Sequence, residues 1–330
     1  MPPKPRSRHN LLRLVCLVLV LAGAVWVVLN RQFVIDQLTV WNYKPSSDIA
    51  AIAFRASLNE RGTFYLYASR PQINDRDTFN SRCHQLVEKA AVLGCYANRE
   101  ISIFNVTDQR LDGIREVTAA HEMLHAAYDR LTTSDAAQVN GWLEQQIARI
   151  SDPKLKERLA LYDQTEPGER LNELHSIIGT EIATISPELE TYYARYFSNR
   201  SKVVTLANQY EAVFGQLEDR QKTLISEMNA LADQIDSDSK WYETNLTSLQ
   251  ADIADFNRRA TAGDFASQAA FVAERSQIMA RQSTLQSRRL AINAAIDNYS
   301  QKKAELDSLT TTAEGLQRSI NSKLPETPTL

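Results

Sequence analysis

The sequence contains few residues that interrupt regular structure, and it carries little net charge. Its 330 residues include 10 glycines and 10 prolines, and the formal net charge is −3. A chain without a basic excess has no global field that attracts nucleic acid, so we expect no nucleic-acid partner. Alanine, leucine, glutamine, glutamate and arginine dominate the second half, and most of these favour helix. We therefore expect a mostly helical protein.

Cysteine is scarce as well. Of the three cysteines, Cys16 lies within an apolar run, and only Cys83 and Cys95 lie outside it. In an oxidising compartment these two can pair, and a bridge across so short a loop contributes about 3 kcal/mol in the chain-entropy model. The alternative is a pair of buried thiols that are not bonded to each other.

One apolar run near the amino terminus is long enough to matter for a membrane. It extends from Leu14 to Leu29 and reaches back to Leu11 across Arg13. Its length is close to the roughly 20 residues that span a bilayer, and the Arg13 side chain can snorkel to the surface. Since no small-x-small cleavage site closes the run, we predict an uncleaved signal anchor over residues 11–30 rather than a signal peptide that is removed.

Basic residues before this run set the expected topology. Lys4, Arg6 and Arg8 lie in a basic tail, residues 1–10, and such residues stay on the cytoplasmic side of a membrane. The sequence thus predicts a single-pass membrane protein with a cytoplasmic amino terminus. The rest of the chain would be extracytoplasmic, which means periplasmic or at the cell surface in a bacterium.

Histidine is also rare, at five residues, yet two histidines fall in one short motif. His121, Glu122 and His125 form an H-E-x-x-H sequence, and no proline or glycine interrupts residues 114–131. On a helix the two imidazoles lie on one face, where they can bind one metal ion. The Glu122 carboxylate lies beside them, where it can act on a water molecule. The simpler alternative is a helix that exposes two histidines by accident.

The residues from Thr118 to Ala127 resemble the active-site helix of the zincin metallopeptidases, which also prefer Val or Thr at the opening position. The resemblance implies a zinc-dependent peptidase that acts on a protein or peptide substrate. It also implies that His121 and His125 bind Zn²⁺ and that Glu122 is the general base.

A catalytic zinc site needs a third protein ligand, and the segment after the motif offers three candidates. These are Glu173, His175 and Glu181. The same segment carries a strip of small residues against which the motif helix can pack closely, and helical geometry places Glu173 nearest to that strip and Glu181 farthest from it. We therefore predict the metal ligands His121, His125 and Glu173, and keep Glu181 and His175 as alternatives.

The segment around Glu173 also resembles the third-ligand helix of the Glu-ligated zincins, called gluzincins. There a small residue follows the glutamate three positions later, as Ser176 does here. The sequence departs from the version of this helix that has Asp four positions after the glutamate, because Ile177 occupies that position. The partner of the first histidine is therefore unassigned.

Local patterns predict the elements around the motif. Residues 31–45 are expected to form a linker, and residues 46–198 the zincin-like domain. Within it we predict a helix that starts at Ser46 or Ser47 and ends at Gly62, a strand over Thr63–Ser69, a helix over Thr78–Val92, and strands near Cys95 and over Ile101–Val106. By resemblance to zincins, Ile101–Val106 would be the edge strand that pairs with an extended substrate.

From about Asn199 the apolar residues follow an alternating spacing of three and four. The pattern is interrupted at Gly263 and then resumes. It predicts an antiparallel coiled-coil hairpin over residues 199–322, with a disordered tail over residues 323–330. A parallel dimer of one long helix is the alternative. A coiled coil can bind a protein partner or associate with itself.

The predicted fold class is an α+β zincin-like catalytic domain, mostly helical, between one transmembrane helix and an antiparallel helical coiled-coil hairpin. The predicted function is a membrane-anchored, extracytoplasmic zinc peptidase. Two alternatives remain open. One is an envelope scaffold or adaptor with an inactive zinc domain, and the other is a zinc hydrolase of amides that are not peptides.

Overall fold

The structure is a computed structural model that describes residues 7–83, 93–165 and 168–323. The described chain is mostly helical, as the composition predicts. It divides into two compact units. Unit 1 comprises Met1–Val213 and Gln317–Leu330, and unit 2 comprises Phe214–Leu316.

Most described elements belong to unit 1. Its helices are α1 (Ser7–Leu29), α2 (Arg31–Asn42), α3 (Ser47–Arg55), α4 (Glu60–Ala68), α5 (Arg76–Arg82), α6 (Ile114–Tyr128), α7 (Thr133–Ile147), α8 (Pro153–Thr165), α9 (Arg170–Thr180) and α10 (Pro187–Tyr193). Its strands are β1 (Gln72–Asn74), β2 (Gly94–Ala97) and β3 (Glu100–Phe104). Two long helices follow, α11 (Arg200–Ala262) and α12 (Gln268–Ile320).

The three strands form one small mixed sheet in the order β1-β3-β2. Strand β3 pairs in parallel with β1 and antiparallel with β2. The prediction that residues 101–106 form an edge strand is therefore wrong, since β3 has a neighbour on both sides. Both faces of β3 are buried, since Ile101 is fully buried and Ser102, on the opposite face, is 2% exposed. Both β2 and β3 contact α6.

The amino-terminal helix α1 contains an apolar stretch, Leu11–Leu29, with a mean hydropathy of 2.7. None of this stretch is buried against the rest of the protein. Since a helix of this length and composition can span a bilayer or serve as a signal sequence, the exposed apolar surface fits a lipid environment. The first six residues of the basic tail lie outside the described part of the chain.

The segment predicted to be a linker, residues 31–45, is largely the helix α2. Asp36 on this helix is 3% exposed and forms a two-point ion pair with Arg130, with distances of 2.8 and 2.9 Å between their nitrogen and oxygen atoms. Sequence periodicity does not mark α2, because its buried contact is an ion pair and not an apolar stripe.

The predicted strand over Thr63–Ser69 is also wrong, because residues 63–68 lie in α4 and Ser69 is its C-cap. The Asn59 side chain accepts a hydrogen bond from the Gly62 amide and so caps this helix, whereas the preceding helix α3 already ends at Arg55 and not at Gly62. Leu66 of α4 is fully buried. Aromatic residues favour strands only where a sheet can receive them, and here burial against other helices decides the conformation.

Helices α6 and α9 form the centre of unit 1. A side chain at Gly179 would collide with Leu124 of α6 and with Tyr193, so the strip of small residues on α9 does allow the close approach expected from the sequence. At the carboxyl end of α9 the buried Arg200 donates hydrogen bonds to the carbonyl oxygens of Ile178 and Ile182. It thereby satisfies backbone acceptors that the end of a helix leaves open.

Cys83 and Cys95 form a disulfide bond, so the pairing that the sequence left open is present. The bond joins the end of α5 to β2. The second part of the helix predicted over Thr78–Val92 lies outside the described residues.

Unit 2 contains most of α11 and α12, which run antiparallel. Ion pairs connect Arg220 with Glu305, Glu227 with Lys302, Asp238 with Arg288, Asp252 with Arg281 and Arg259 with Glu274. The partner number falls as the first number rises, which is the order of a hairpin that turns near Gly263, where φ is +73°. Nearly all of the tail predicted over residues 323–330 lies outside the described chain.

Candidate metal centre

Two neighbouring helices bring three metal-ligating side chains together. His121 and His125 lie one turn apart on α6, with ring centroids separated by 4.8 Å, and Glu173 lies in the first turn of α9. One ligand atom from each residue can be chosen so that all three lie within 4.8 Å of one another. The three residues are therefore able to bind a metal ion together.

The distances between the donor atoms suit a small divalent ion. His121 Nε2 is 3.5 Å from one Glu173 oxygen, and His125 Nε2 is 3.3 Å from the other. Ligands about 2.0–2.2 Å from a tetrahedral zinc ion lie roughly 3.3–3.6 Å from each other. Two imidazole nitrogens and one carboxylate are also a donor set that zinc accepts, with a fourth position left for water or substrate.

Asn172 determines which nitrogen of His125 faces the site. The Asn172 amide nitrogen donates to Glu169 at 2.9 Å, which directs its oxygen towards His125 Nδ1, also at 2.9 Å. An oxygen acceptor at this position requires the proton on Nδ1, so Nε2 carries the lone pair that binds a metal. This role of Asn172 was not predicted, although Asn172 directly precedes Glu173 in the sequence.

The environment shifts the pKa values of the two histidines in opposite directions. Burial by itself would lower the pKa of His121, but the hydrogen bond and negative charge of Glu173 outweigh it and raise this pKa to about 9. Burial lowers the pKa of His125, and the charge on His121 adds to that effect. The Glu173 carboxylate therefore favours a proton on His121, whereas burial disfavours one on His125.

Glu122 lies between the two histidines in the sequence and faces β2. Its side chain is buried, with a residue exposure of 6%. A Cβ atom added at Gly94, the first residue of β2, would lie 2.6 Å from Glu122 Oε1 and 2.5 Å from Thr118 Cγ2. The strand can approach α6 at the level of Glu122 because residue 94 has no side chain. This role of Gly94 was not predicted from the sequence.

The other two candidate ligands have different partners. Glu181 accepts a hydrogen bond from Arg158 at 2.5 Å and pairs with its charge. His175 is fully buried, and its Nε2 lies 2.9 Å from the Tyr192 hydroxyl. Burial lowers the pKa of His175 to about 3, so this ring is neutral. Neither residue belongs to the group formed by His121, His125 and Glu173.

Tyr192 and Tyr193 of α10 and the nearby Tyr196 form a cluster of hydroxyl groups beside α9. The Tyr193 hydroxyl donates to the His175 backbone oxygen at 2.7 Å, and the Tyr196 hydroxyl donates to that of Tyr192 at 3.3 Å. All three tyrosines are almost completely buried, and burial raises the pKa of the Tyr192 hydroxyl. Their contacts are those of a packed, hydrogen-bonded core.

No family model, curated protein or solved structure matches this chain. The likeness to the zincins is thus limited to the sequences of the motif helix and of the segment around Glu173.

Proposed function

We propose that the protein is a membrane-anchored, zinc-dependent peptidase. The observation that carries the proposal is the convergence of the imidazoles of His121 and His125 with the carboxylate of Glu173, next to Glu122 on the same helix. The site is mostly buried, yet 18% of the His121 side chain remains exposed. A ligand can therefore approach from the side of His121.

In the proposed reaction His121, His125 and Glu173 bind the zinc ion. When bound, zinc supplies a Lewis acid that polarises a carbonyl group and makes a water molecule easier to deprotonate. Glu122 removes the proton from the attacking water and later delivers it to the leaving amine. Asn172 keeps His125 in the tautomer that binds metal, and Gly94 gives Glu122 the space that it occupies.

The anchor and the compartment are part of the proposal. We infer that the apolar stretch Leu11–Leu29 stays in the membrane and that the rest of the chain is extracytoplasmic. The disulfide between Cys83 and Cys95 supports this placement, since such bonds persist in oxidising compartments and are rare in the cytosol. A protein or peptide is the proposed substrate, and the helical hairpin remains available for a partner or for self-association.

The test compares two glutamate variants of the full-length chain, Glu122→Gln and Glu157→Gln. Glu157 is an exposed residue of α8. We expect the wild type and both variants to contain about one zinc ion per chain by mass spectrometry. Hydrolysis of unfolded casein should fall by about 10²–10⁴-fold in Glu122→Gln, the usual contribution of a general base, and should stay unchanged in Glu157→Gln. A wild-type protein that binds no stoichiometric zinc would overturn the proposal.

A further inference from the structure

The chain that follows the apolar stretch contacts the rest of unit 1 within a few residues. The helical hydrogen bonds continue across the junction between α1 and α2, from the Asn30 amide to the Trp26 oxygen and from the Val34 amide to the Asn30 oxygen. Phe33 then stacks on Phe64 of α4 at a centroid distance of 6.2 Å. Phe33 is four residues beyond Leu29, which corresponds to about 6 Å along a helix.

A buried ion pair fixes α2 to the end of the metal-binding helix. The side chains of Asp36 and Arg130 are each 4% exposed. Arg130 also donates to the Ala126 oxygen of α6 at 2.6 Å and to the Tyr96 hydroxyl of β2 at 3.0 Å. One guanidinium therefore connects the helix after the apolar stretch with the metal-binding helix α6 and with β2, the strand that Glu122 faces.

This network limits the distance between the metal centre and the end of the apolar stretch. Asp36 is seven residues beyond Leu29, and Arg130 is five residues beyond His125, which gives about 10 Å and about 8 Å along helix. With the two side chains between them, the whole path is about 30 Å or less. Gln32 also donates to Asp36 at 2.8 Å within α2. Since helical hydrogen bonds continue from α1 into α2 through Asn30, this part of the path contains no extended segment.

From this connection we propose that the enzyme cleaves peptide segments close to the membrane surface, such as the membrane-proximal parts of anchored proteins. This inference rests on the proposed function and its membrane anchor. It adds a substrate class: extended peptide within about 30 Å of the bilayer, which corresponds to about nine residues of extended chain.

The experiment uses the full-length protein in phosphatidylcholine vesicles and one fluorogenic, unstructured casein-derived peptide in three forms. The near form is joined directly to a lipid. The far form is separated from the lipid by a rigid helical spacer of about 40 residues, or about 60 Å. The third form is free in solution. We expect the near form to be cleaved at least about tenfold faster than the far form, because a rigid spacer prevents the far form from reaching the site.

A lengthened variant provides the reverse test. A helical spacer of about 36 residues, ten full turns, is inserted between Asn30 and Arg31 and lifts the domain by about 54 Å. We expect this variant to prefer the far form. The matched control carries the same insertion between Gly263 and Asp264, in the turn of the hairpin, and should retain the preference for the near form.

The outcomes separate the inference from the function on which it rests. Equal cleavage of the near and far forms by the wild type, together with cleavage of the free peptide, would overturn the inference and leave the proposed peptidase in place. Cleavage of none of the three forms would overturn both. A near-to-far ratio that the insertion at Asn30 does not change would also overturn the inference, because the ratio would then not depend on the distance from the membrane.

Discussion

Glu173 faces both histidines, whereas Glu181 is on the same segment but pairs with Arg158. The two glutamates were competing candidates in the sequence because both follow the motif at a plausible distance. Their positions separate them, since Glu173 lies in the first turn of α9 and Glu181 follows its last residue. The strip of small residues on α9 already favoured Glu173 in the sequence, because it indicated which part of this segment packs against the motif helix.

The first residue-scale prediction concerns this choice of ligand. Glu173→Gln should weaken zinc binding by more than about 100-fold, since loss of a supporting partner alone typically costs 10–100-fold. Glu181→Gln, the control, should bind zinc like the wild type. The zinc affinity of Asn172→Ala should lie between those of Glu173→Gln and Glu181→Gln. Competition with a chromophoric chelator measures all three affinities, and equal affinities for Glu173→Gln and the wild type would exclude Glu173 as a ligand.

Gly94 gives the second prediction at this scale. In Gly94→Ala the new methyl group meets Glu122 and Thr118, so β2 or the Glu122 side chain has to move. A shift of about 1 Å in a catalytic group can cost about 10²-fold in rate, while His121, His125 and Glu173 stay in place. We expect retained zinc and a hydrolysis rate reduced by at least about tenfold.

The control for Gly94 is Gly141→Ala on α7, where an added Cβ meets nothing within 4 Å. That variant should keep the full rate and gain about 0.5–1 kcal/mol in stability from its higher helix propensity. A Gly94→Ala protein that hydrolyses casein at the wild-type rate would show that the close approach of β2 does not position Glu122.

At the scale of elements, sequence patterns succeeded where a helix has a marked face or a capping residue. The H-E-x-x-H helix has such a face, and Ser46 caps α3, which begins at Ser47. The two short strands β2 and β3 also lie near their predicted positions. Helix α4 was mistaken for a strand because its aromatic residues have strand propensity. Its conformation is determined instead by contacts with other helices of unit 1. Helix α2 was mistaken for a linker because its buried residue, Asp36, is charged.

The ion pair of Asp36 and Arg130 supplies the prediction at this scale. Both side chains are shielded from solvent, so removal of one partner leaves a buried charge unpaired. Asp36→Ala should lower the free energy of unfolding by about 3–5 kcal/mol. The exposed change Asp233→Asn on α11 should alter it by less than about 0.5 kcal/mol. Denaturant titrations of each protein in detergent measure these differences.

A double variant tests whether the loss comes from the unpaired charge. Replacement of both residues by apolar ones, Asp36→Leu with Arg130→Met, removes the buried charges together and should lose less stability than Asp36→Ala alone. If the double variant is less stable than Asp36→Ala, the hydrogen bonds of Arg130 to Ala126 and Tyr96 contribute more to stability than the neutralisation of Asp36 does.

At the scale of the whole molecule, every residue assigned to the metal centre belongs to unit 1. His121, His125, Glu173 and their supports Asn172 and Gly94 all lie before residue 213, where unit 1 is interrupted by the hairpin of unit 2. The alternating spacing of apolar residues was enough to predict a long helical region with a turn near Gly263. It could not indicate that residues 317–323 return to unit 1, because that contact consists of hydrogen bonds such as Asn80 to the Ser322 oxygen at 2.8 Å.

The division into units predicts that the metal centre does not need the far part of the hairpin. Replacement of residues 239–287 by a short glycine-rich turn would join the helices where Asp238 and Arg288 already pair at 2.8 Å. The shortened protein keeps the start of α11, with Arg200 on the end of α9, and the segment 317–323. We expect unchanged zinc stoichiometry and an unchanged rate on soluble casein, measured beside the full-length chain. Loss of zinc in a shortened protein that still unfolds cooperatively would mean that the hairpin stabilises the metal centre.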